Sequence, residues 1–129
     1  MKNILFVCKY NRFRSKVAEA YFSKINRNKN VRAKSAGLIS GTPISREQKK
    51  IVREFGINIR GKPCGLSSKL LKWQNVTVVV ADDVPPEIFK DNKDYGKETI
   101  VWNIPDRNES VKEIIKRVDE LNKKLEKER

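Results

Sequence analysis

Residues 3–15 read NILFVCKYNRFRS, an apolar run that passes through a polar loop into a helical pattern. The apolar stretch 3–8 is typical of a strand buried in a parallel sheet. From residue 15 to about residue 25, apolar residues recur at helical spacing. Backbone N–H groups at such a strand-to-helix junction can converge on one point, where the helix dipole also favours negative charge. The segment therefore predicts an anion-binding loop between the first strand and the first helix.

The rest of the chain alternates strand and helix patterns. Three further strands are predicted at residues 31–36, 76–81 and 99–102. Helices are predicted over residues 45–55 and 67–73, from Pro85-Pro86, and from Ser110, with capping-box patterns at Ser45 and Ser110. Strands that alternate with helices favour a parallel sheet covered on both faces. We therefore expect a three-layer α/β/α fold with a central four-stranded parallel sheet, formed by one domain over residues 1–129.

The composition argues against several classes of protein. The 129 residues contain no histidine, which removes the usual general base and the commonest metal ligand. No apolar run reaches membrane-spanning length, and the apolar residues 4–7 are too few for a secretory signal. With two cysteines and no such signal, a disulfide scaffold is not expected. We expect a cytoplasmic protein without membrane contact.

The chain is strongly basic, with 29 lysine and arginine residues against 16 acidic residues and a formal net charge of +13. Such a charge can serve nucleic-acid binding, because lysine and arginine neutralise backbone phosphates. Here the basic residues are spread along the chain and are not gathered into one block with aromatic platforms. We therefore do not expect nucleic acid as a partner, although a positive field would attract phosphorylated substrates.

Cys8 lies at the base of the predicted anion-binding loop. An isolated cysteine at the end of a strand is most often a small buried apolar residue. In this chain Arg14 follows six positions later, where it can fold back and hold two phosphate oxygens. Ser15 comes next and can form a hydrogen bond with the sulfur. This spacing at a strand-to-helix turn favours a nucleophilic cysteine whose thiolate the loop stabilises.

Residues 8–15 resemble the phosphate-binding loop of the low-molecular-weight protein tyrosine phosphatases, Cys-x5-Arg-Ser after the first strand. Three further segments match that family in order, at residues 34–37, 55–58 and 102–106. They read KSAG, FGIN and WNIPD, and they resemble the family's Ser-Ala-Gly stretch, its Gly-Ile-Asp region and its late loop with the general acid. The resemblance spans essentially the whole chain. It implies the phosphatase I-like α/β fold and a cysteine-dependent phosphomonoester hydrolase that acts on phosphotyrosine.

The resemblance also implies a role for each residue of the site. Cys8 would attack phosphorus and form a phosphocysteine, Arg14 would clamp the phosphate, and Asp106 would act as general acid and base. Asn11, Ser15 and Ser35 would support the loop and the thiolate through hydrogen bonds. The substrate would lie against six residues of the loop, two of which, Asn11 and Ser15, are also among these supports. The six are Lys9, Tyr10, Asn11, Arg12, Phe13 and Ser15.

The expected ligands follow from the same resemblance. The substrate would be a phosphorylated protein or a small aryl phosphate, and inorganic phosphate or another oxyanion would also occupy the loop. Neither a metal nor an organic cofactor is implied, which suits a chain without histidine.

The chain departs from the family pattern within the loop and beside the acid. Tyr10 stands where the family usually has glycine, so either the loop path differs slightly or Tyr10 is held in a strained conformation. Phe13 replaces a cysteine that shields the nucleophile in many members. Arg107 and Asn108 follow the acid where the family has proline and often tyrosines, and residues 38–40 replace its aromatic wall.

Two other functions fit the same loop. Arsenate reduction, which related proteins perform, needs additional cysteines, and Cys64 is the only cysteine outside the loop. A non-catalytic module could bind phosphate or nucleic acid with the same residues, but it would not need a thiolate. Asp82 and Asp83, which follow the third predicted strand, are alternative acids, although capping the turn before Pro85 is the commoner role for such residues.

Overall fold

The computed structural model describes residues 2–128, and every predicted strand and helix is present, with each end that was predicted lying within two residues of the observed end. The strands are β1 (Lys2–Cys8), β2 (Val31–Gly37), β3 (Val76–Val80) and β4 (Glu98–Trp102). The helices are α1 (Arg14–Ile25), α2 (Arg46–Arg53), α3 (Ser68–Trp73) and α4 (Ser110–Lys127), and a 3-10 helix covers Pro86–Tyr95. Over residues 2–128, no helix is both long and apolar enough to cross a membrane.

The four strands form one parallel sheet in the order β2-β1-β3-β4, which confirms the predicted fold class. β1 pairs with β2 so that Cys8 lies beside Gly37, and with β3 so that Val7 lies beside Val79. Because all strands run in the same direction, their carboxyl ends meet at one edge of the sheet. Cys8 ends β1 at this edge, which is where ligands bind in open parallel sheets.

Apolar side chains cover both faces of the sheet, because successive residues of a strand point to opposite faces. On one face Ile4 and Phe6 of β1 belong to the core formed with α1 and α4. On the other face Leu5 and Val7 pack in a smaller core with Phe89 of the 3-10 helix. β3 is buried along its whole length, as its run of valines predicts. The strand ends that carry the site are therefore held by a rigid core.

The two serines that were predicted to cap helices behave differently. Ser45 precedes α2, and its Oγ accepts a hydrogen bond from the backbone N–H of Gln48 at 3.1 Å, as predicted. The prediction for Ser110 is wrong, because Ser110 lies inside the first turn of α4 and Glu109 takes the N-cap position. The Ser110 hydroxyl donates instead to the carbonyl oxygen of Pro105 at 2.6 Å. It therefore fixes the loop before α4 and not the end of the helix.

Candidate active site

Residues 9–13 form the loop between β1 and α1 at the carboxyl edge of the sheet. Asn11 has a φ of 53° and is the sole non-glycine residue with positive φ in the described range 2–128. Asparagine tolerates this left-handed conformation better than most side chains do. Tyr10 therefore has an ordinary φ, and the strain considered for it is not found. The positive φ of this loop therefore lies at Asn11, the residue after the tyrosine.

Cys8 is buried at the base of this loop, and its Sγ lies 2.9 Å from the Oγ of Ser15. Ser15 is fully buried, and its Oγ also accepts a hydrogen bond from Asn11 Nδ2 at 2.8 Å. Because that contact uses a lone pair of the oxygen, the hydroxyl proton of Ser15 is available to the sulfur. The sulfur thus has a hydrogen-bond donor directed at it, which is the arrangement that stabilises a thiolate.

Asn11 connects the loop to three other parts of the chain. Its Nδ2 donates to Ser15 Oγ in α1 and to Ser35 Oγ in β2, the latter at 2.9 Å. Its Oδ1 accepts a hydrogen bond from the backbone N–H of Cys64 at 2.8 Å. Ser35 in turn donates to a carboxylate oxygen of Glu19 in α1. The loop residue with the left-handed backbone is therefore also the centre of a buried hydrogen-bond network.

The loop lies directly against the segment that follows β2. The backbone N–H groups of Leu38, Ile39 and Gly41 donate to the carbonyl oxygens of Cys8, Lys9 and Tyr10, each at 3.1 Å. At Gly37 a Cβ atom would lie 2.6 Å from the backbone nitrogen of Asn11 and 2.6 Å from the carbonyl carbon of Tyr10. This close approach requires glycine, which explains the glycine in the sequence KSAG of residues 34–37.

Arg14 is the first residue of α1, and its side chain is only 2% exposed. Its Nη1 donates to the carbonyl oxygen of Ile104 at 2.9 Å, and its Nη2 lies 3.0 Å from Asp83 Oδ1. Asp82 Oδ1 lies 3.5 Å from Nη1, and Asp106 Oδ1 lies 3.8 Å from Nε. The carboxyl ends of β3 and β4 therefore surround the guanidinium with three carboxylates and one carbonyl oxygen. A buried guanidinium needs hydrogen-bond and ion-pair partners, because removing its charge from water without them is costly.

Asp106 lies in the loop of residues 103–109 between β4 and α4, with 54% of its side chain exposed. Its carboxylate faces the Nε of Arg14. Two hydrogen bonds hold the loop just before it, from Arg14 Nη1 to Ile104 and from Ser110 Oγ to Pro105. The fold therefore brings Cys8, Arg14 and Asp106 to the same edge of the sheet, Cys8 and Arg14 from the segment that follows β1 and Asp106 from the loop that follows β4.

The remaining loop side chains differ in how they are placed. Phe13 is 2% exposed and belongs to the core, so only its backbone can face a bound anion. Tyr10 is exposed, with Lys9 Nζ 5.3 Å from the centre of its ring. Arg12 is also exposed, and its Nε donates to the carbonyl oxygen of Pro43 at 3.2 Å. Tyr10, Lys9 and Arg12 therefore form the rim of the site, while Phe13 anchors it.

Two features of the site go beyond the sequence prediction. Asp82 and Asp83 were predicted as alternative acids or, more commonly, as caps of the turn before Pro85, and in the structure both face Arg14. Their pairing with Arg14 was not predicted, although their position after β3 was the available signal, since β3 neighbours β1 in the sheet. Cys64 contributes its backbone N–H to the network while its side chain is exposed. Within residues 2–128, no group of three histidine, cysteine or acidic residues is arranged to hold a metal ion.

Comparison with known proteins places this geometry in a family. The sequence profile described as low molecular weight phosphotyrosine protein phosphatase matches residues 3–128. No curated protein sequence matches the chain. Among solved structures, the arginine phosphatase YwlE from Geobacillus stearothermophilus is 26% identical with a TM-score of 0.83, over 99% of this chain and 95% of that one.

Two other solved structures are similar over the full chain. The thioredoxin-dependent arsenate reductase Cg_ArsC1' of Corynebacterium glutamicum is 25% identical with a TM-score of 0.76, over 100% of this chain and 63% of the reductase. The low molecular weight protein tyrosine phosphatase of T. tengcongensis shares the fold at 24% identity and a TM-score of 0.77, over 100% of both chains. The profile match covers nearly every residue, and it agrees with the loop motif and the sheet order. The chain therefore belongs to the low molecular weight phosphotyrosine protein phosphatase family and is a cysteine-dependent phosphatase.

Proposed function

We propose that this phosphatase hydrolyses phosphotyrosine in proteins, with Cys8 as nucleophile, Arg14 as phosphate clamp and Asp106 as general acid and base. The observation that carries the proposal is the 2.9 Å contact between Cys8 Sγ and Ser15 Oγ. The sulfur lies at the N-terminal end of α1, where backbone N–H groups and the helix dipole favour negative charge. A buried cysteine in this position is prepared to react as a thiolate.

In the first half-reaction the Cys8 thiolate attacks phosphorus, and the bond between phosphorus and the tyrosine oxygen breaks. The phosphoryl group is then bound to sulfur. Arg14 and the loop N–H groups bind the non-bridging oxygens as charge develops on them. Asp106, in its protonated form, gives its proton to the departing phenolate, so that tyrosine leaves as the neutral phenol.

In the second half-reaction water attacks the phosphorus of the phosphocysteine. The Asp106 carboxylate, left by the first step, takes a proton from this water. The bond between phosphorus and sulfur breaks, inorganic phosphate leaves, and the Cys8 thiolate is restored with the Ser15 hydroxyl directed at it. Neither step changes an oxidation state, and no metal or organic cofactor enters the sequence.

The depth of the site favours an aryl substrate. Cys8 is only 2% exposed, so a phosphoryl group must reach the base of the loop before it meets the sulfur. A tyrosine side chain is long and flat, whereas serine and threonine would bring the peptide backbone against the rim formed by Lys9, Tyr10 and Arg12. Phosphotyrosyl proteins and small aryl phosphates are therefore the expected substrates, and inorganic phosphate is expected to compete for the loop.

Protein phosphoarginine is the second candidate substrate. The carboxylates of Asp82, Asp83 and Asp106 lie 3.5, 3.0 and 3.8 Å from the Arg14 guanidinium, so one side of the site is acidic. A guanidinium leaving group would be attracted to that side, whereas a phenol would not. The similar YwlE structure is that of an arginine phosphatase. Hydrolysis of phosphotyrosine and phosphoarginine in peptides of otherwise identical sequence would rank the two candidates.

The experiment that tests the mechanism is hydrolysis of para-nitrophenyl phosphate without added metal. Wild type is compared with Cys8→Ser, with Asp106→Ala, and with Cys64→Ser as the matched cysteine control. We expect no turnover by Cys8→Ser, turnover slowed by about 100-fold or more in Asp106→Ala, and unchanged turnover by Cys64→Ser. The exposed Cys64 side chain has no part in the proposed chemistry.

Two other outcomes would change the conclusion. If wild type binds phosphate or vanadate but turns nothing over, the loop is a binding site and the non-catalytic function takes precedence. If Asp106→Ala is as active as wild type on phenyl phosphate as well, whose poor leaving group needs a proton, while Cys8→Ser is inactive, the acid is another residue. Asp83 would then be the next candidate, because it is the carboxylate closest to Arg14.

A further inference from the structure

The carboxylate of Asp106 has few contacts of its own. Among residues 2–128 its one ion-pair partner is Arg14, at 3.8 Å from Oδ1 to Nε, and no hydrogen bond to the carboxylate is formed. More than half of the side chain is exposed. The position of the carboxylate is therefore set by the backbone of the loop that carries it, and whatever fixes that backbone fixes the acid.

The loop is fixed on both sides of Asp106. On the preceding side, Ile104 and Pro105 accept hydrogen bonds from Arg14 and Ser110 at 2.9 and 2.6 Å. On the following side, Asn108 Oδ1 accepts a hydrogen bond from the Nε2 of Gln48 in α2 at 3.2 Å. This last contact joins two residues that are 60 positions apart in the chain. It connects the acid loop to an element that otherwise has no part in the site.

Gln48 is held at the start of a capped helix. Its backbone N–H donates to Ser45 Oγ at 3.1 Å, which fixes the first turn of α2. Val52, one turn later, is fully buried in the core and fixes the orientation of the helix. The side chain of Gln48 lies half-buried and points to the acid loop. Because the backbone of α2 is fixed at this point, the Gln48 side chain can support the acid loop although it is itself long and flexible.

Asn108 is anchored in a comparable way. Its carbonyl oxygen accepts a hydrogen bond from the backbone N–H of Val111 at 3.4 Å, at the entrance to α4. Val111 itself is buried in the core. Asn108 therefore contacts the start of α4 through its backbone carbonyl and the start of α2 through its side-chain amide, and it lies two residues after the acid.

We propose that Gln48 and Asn108 are a positioning pair that holds Asp106 at the correct distance from the leaving group. The proposal rests on the proposed role of Asp106 as general acid. Neither amide touches the substrate in this proposal. Each acts through the backbone of the loop, as residues that support a site hold its reacting groups in place.

The test compares two substrates that depend differently on the acid. Phenyl phosphate has a poor leaving group that needs the proton of Asp106, whereas para-nitrophenyl phosphate has a good leaving group that needs it less. The variants are Gln48→Leu, Asn108→Ala and the double variant, with Lys49→Leu as the control on the exposed side of the same helix. The measured quantity is kcat/KM for each substrate, because it reports the step in which the leaving group departs.

We expect each single variant to lower kcat/KM for phenyl phosphate by about 3- to 10-fold, the effect of one hydrogen bond. The value for para-nitrophenyl phosphate should change by less than about twofold, and Lys49→Leu should match wild type on both substrates. The double variant should be no worse than the single variants, because both remove the same contact. Equal slowing of both substrates, no slowing of either, or additive losses in the double variant would overturn the proposal.

Asp106→Asn, measured alongside, separates the two hypotheses. If Asp106→Asn slows phenyl phosphate selectively and Gln48→Leu does not, the acid is correct and the positioning pair is wrong. If Asp106→Asn shows no selectivity for the poor leaving group, the proposed role of Asp106 itself fails. Thermal unfolding of each variant confirms that the proteins compared are folded.

Discussion

Asp83 holds the guanidinium of Arg14 before any substrate is present. Arg14 Nη2 lies 3.0 Å from Asp83 Oδ1 and 3.3 Å from Oδ2, and it donates to both. The arginine is buried, whereas 39% of the aspartate side chain is exposed. One end of this ion pair is thus fixed in the protein and the other faces the solvent from which the substrate arrives. Asp83 is therefore one of the groups that orient the Arg14 guanidinium, together with the carbonyl oxygen of Ile104.

Removal of Asp83 should weaken phosphate binding. In Asp83→Ala the buried Arg14 loses its strongest partner, and we expect KM for para-nitrophenyl phosphate to rise by about tenfold. A hydrogen bond to a charged group is worth about 1.5–3 kcal/mol, and the partial exposure of Asp83 places the effect at the lower end of that range. Asp82→Ala is the matched control, because Asp82 lies farther from the guanidinium, at 3.5 Å. Equal KM values for the two variants would contradict the role given to Asp83.

Gly37 cannot accept a side chain without displacement of the phosphate-binding loop. A Cβ atom there would lie 2.6 Å from backbone atoms of Asn11, Tyr10 and Ile39, none of which can rotate away. We expect Gly37→Ala to lower the free energy of unfolding by about 1–3 kcal/mol, measured by urea denaturation, and to abolish most of the activity. Gly65→Ala serves as the control, because the nearest atom to its Cβ would be 3.6 Å away. A stable, fully active Gly37→Ala would show that the loop does not approach β2 as closely as described.

Asn11 combines a backbone role with a side-chain role, and two substitutions separate them. Asn11→Gly keeps the positive φ of 53° accessible but removes the hydrogen bonds to Ser15, Ser35 and Cys64. Asn11→Ala removes the same bonds and adds the cost of a left-handed backbone, about 1–2 kcal/mol. We expect both variants to lose activity and Asn11→Ala to be the less stable in thermal unfolding. If the two variants unfold at the same temperature, the backbone strain at this position is negligible.

Tyr21 provides a prediction that can be tested by pH. Its hydroxyl donates to Asp119 Oδ1 at 2.7 Å, and partial burial, with the hydrogen bond and charge of Asp119, raises the pKa of Tyr21 from 10.0 to about 12. Because the folded-state pKa is raised, the protonated phenol stabilises the fold fully below pH 10.0 and this contribution is lost as the pH rises to about 12.

Absorbance of the phenolate should therefore show a late titration step near pH 12 in wild type. This step should be missing from Tyr21→Phe, and its absence there would assign the signal to Tyr21. A wild-type titration in which all 3 tyrosines ionise together near pH 10.0 would show that the contact with Asp119 is absent in solution.

Much of the fold could be predicted from local patterns. The valine run of β3 and the apolar residues 4–8 of β1 indicate buried parallel strands, because few other structures bury every residue of such a run. The serine before α2 and the glycine after it mark the limits of that helix. The spacing of Cys8 and Arg14 at a strand-to-helix turn likewise identified the loop, since both residues belong to one local motif.

What escaped prediction depends on contacts between segments that are distant in sequence. The pairing of Arg14 with Asp83 follows from the neighbouring positions of β1 and β3 in the sheet, which the local patterns do not specify. The Ser110 hydroxyl can either cap α4 or donate to the carbonyl oxygen of Pro105, and the geometry of the loop before α4 determines that it does the second. The positive φ lies at Asn11 and not at Tyr10, and this too depends on a contact that local patterns do not specify, the packing of the loop against Gly37.

The hydrogen bonds of Asn11 have a consequence for how the protein loses its activity. The side chain joins the loop to α1, to β2 and to the backbone of Cys64, so the loop cannot open while those three remain in place. It belongs to the same cooperative unit as the centre of the sheet. Mild heat or denaturant should therefore not produce a folded but inactive population. The capacity to bind phosphate and the native sheet should disappear in a single transition.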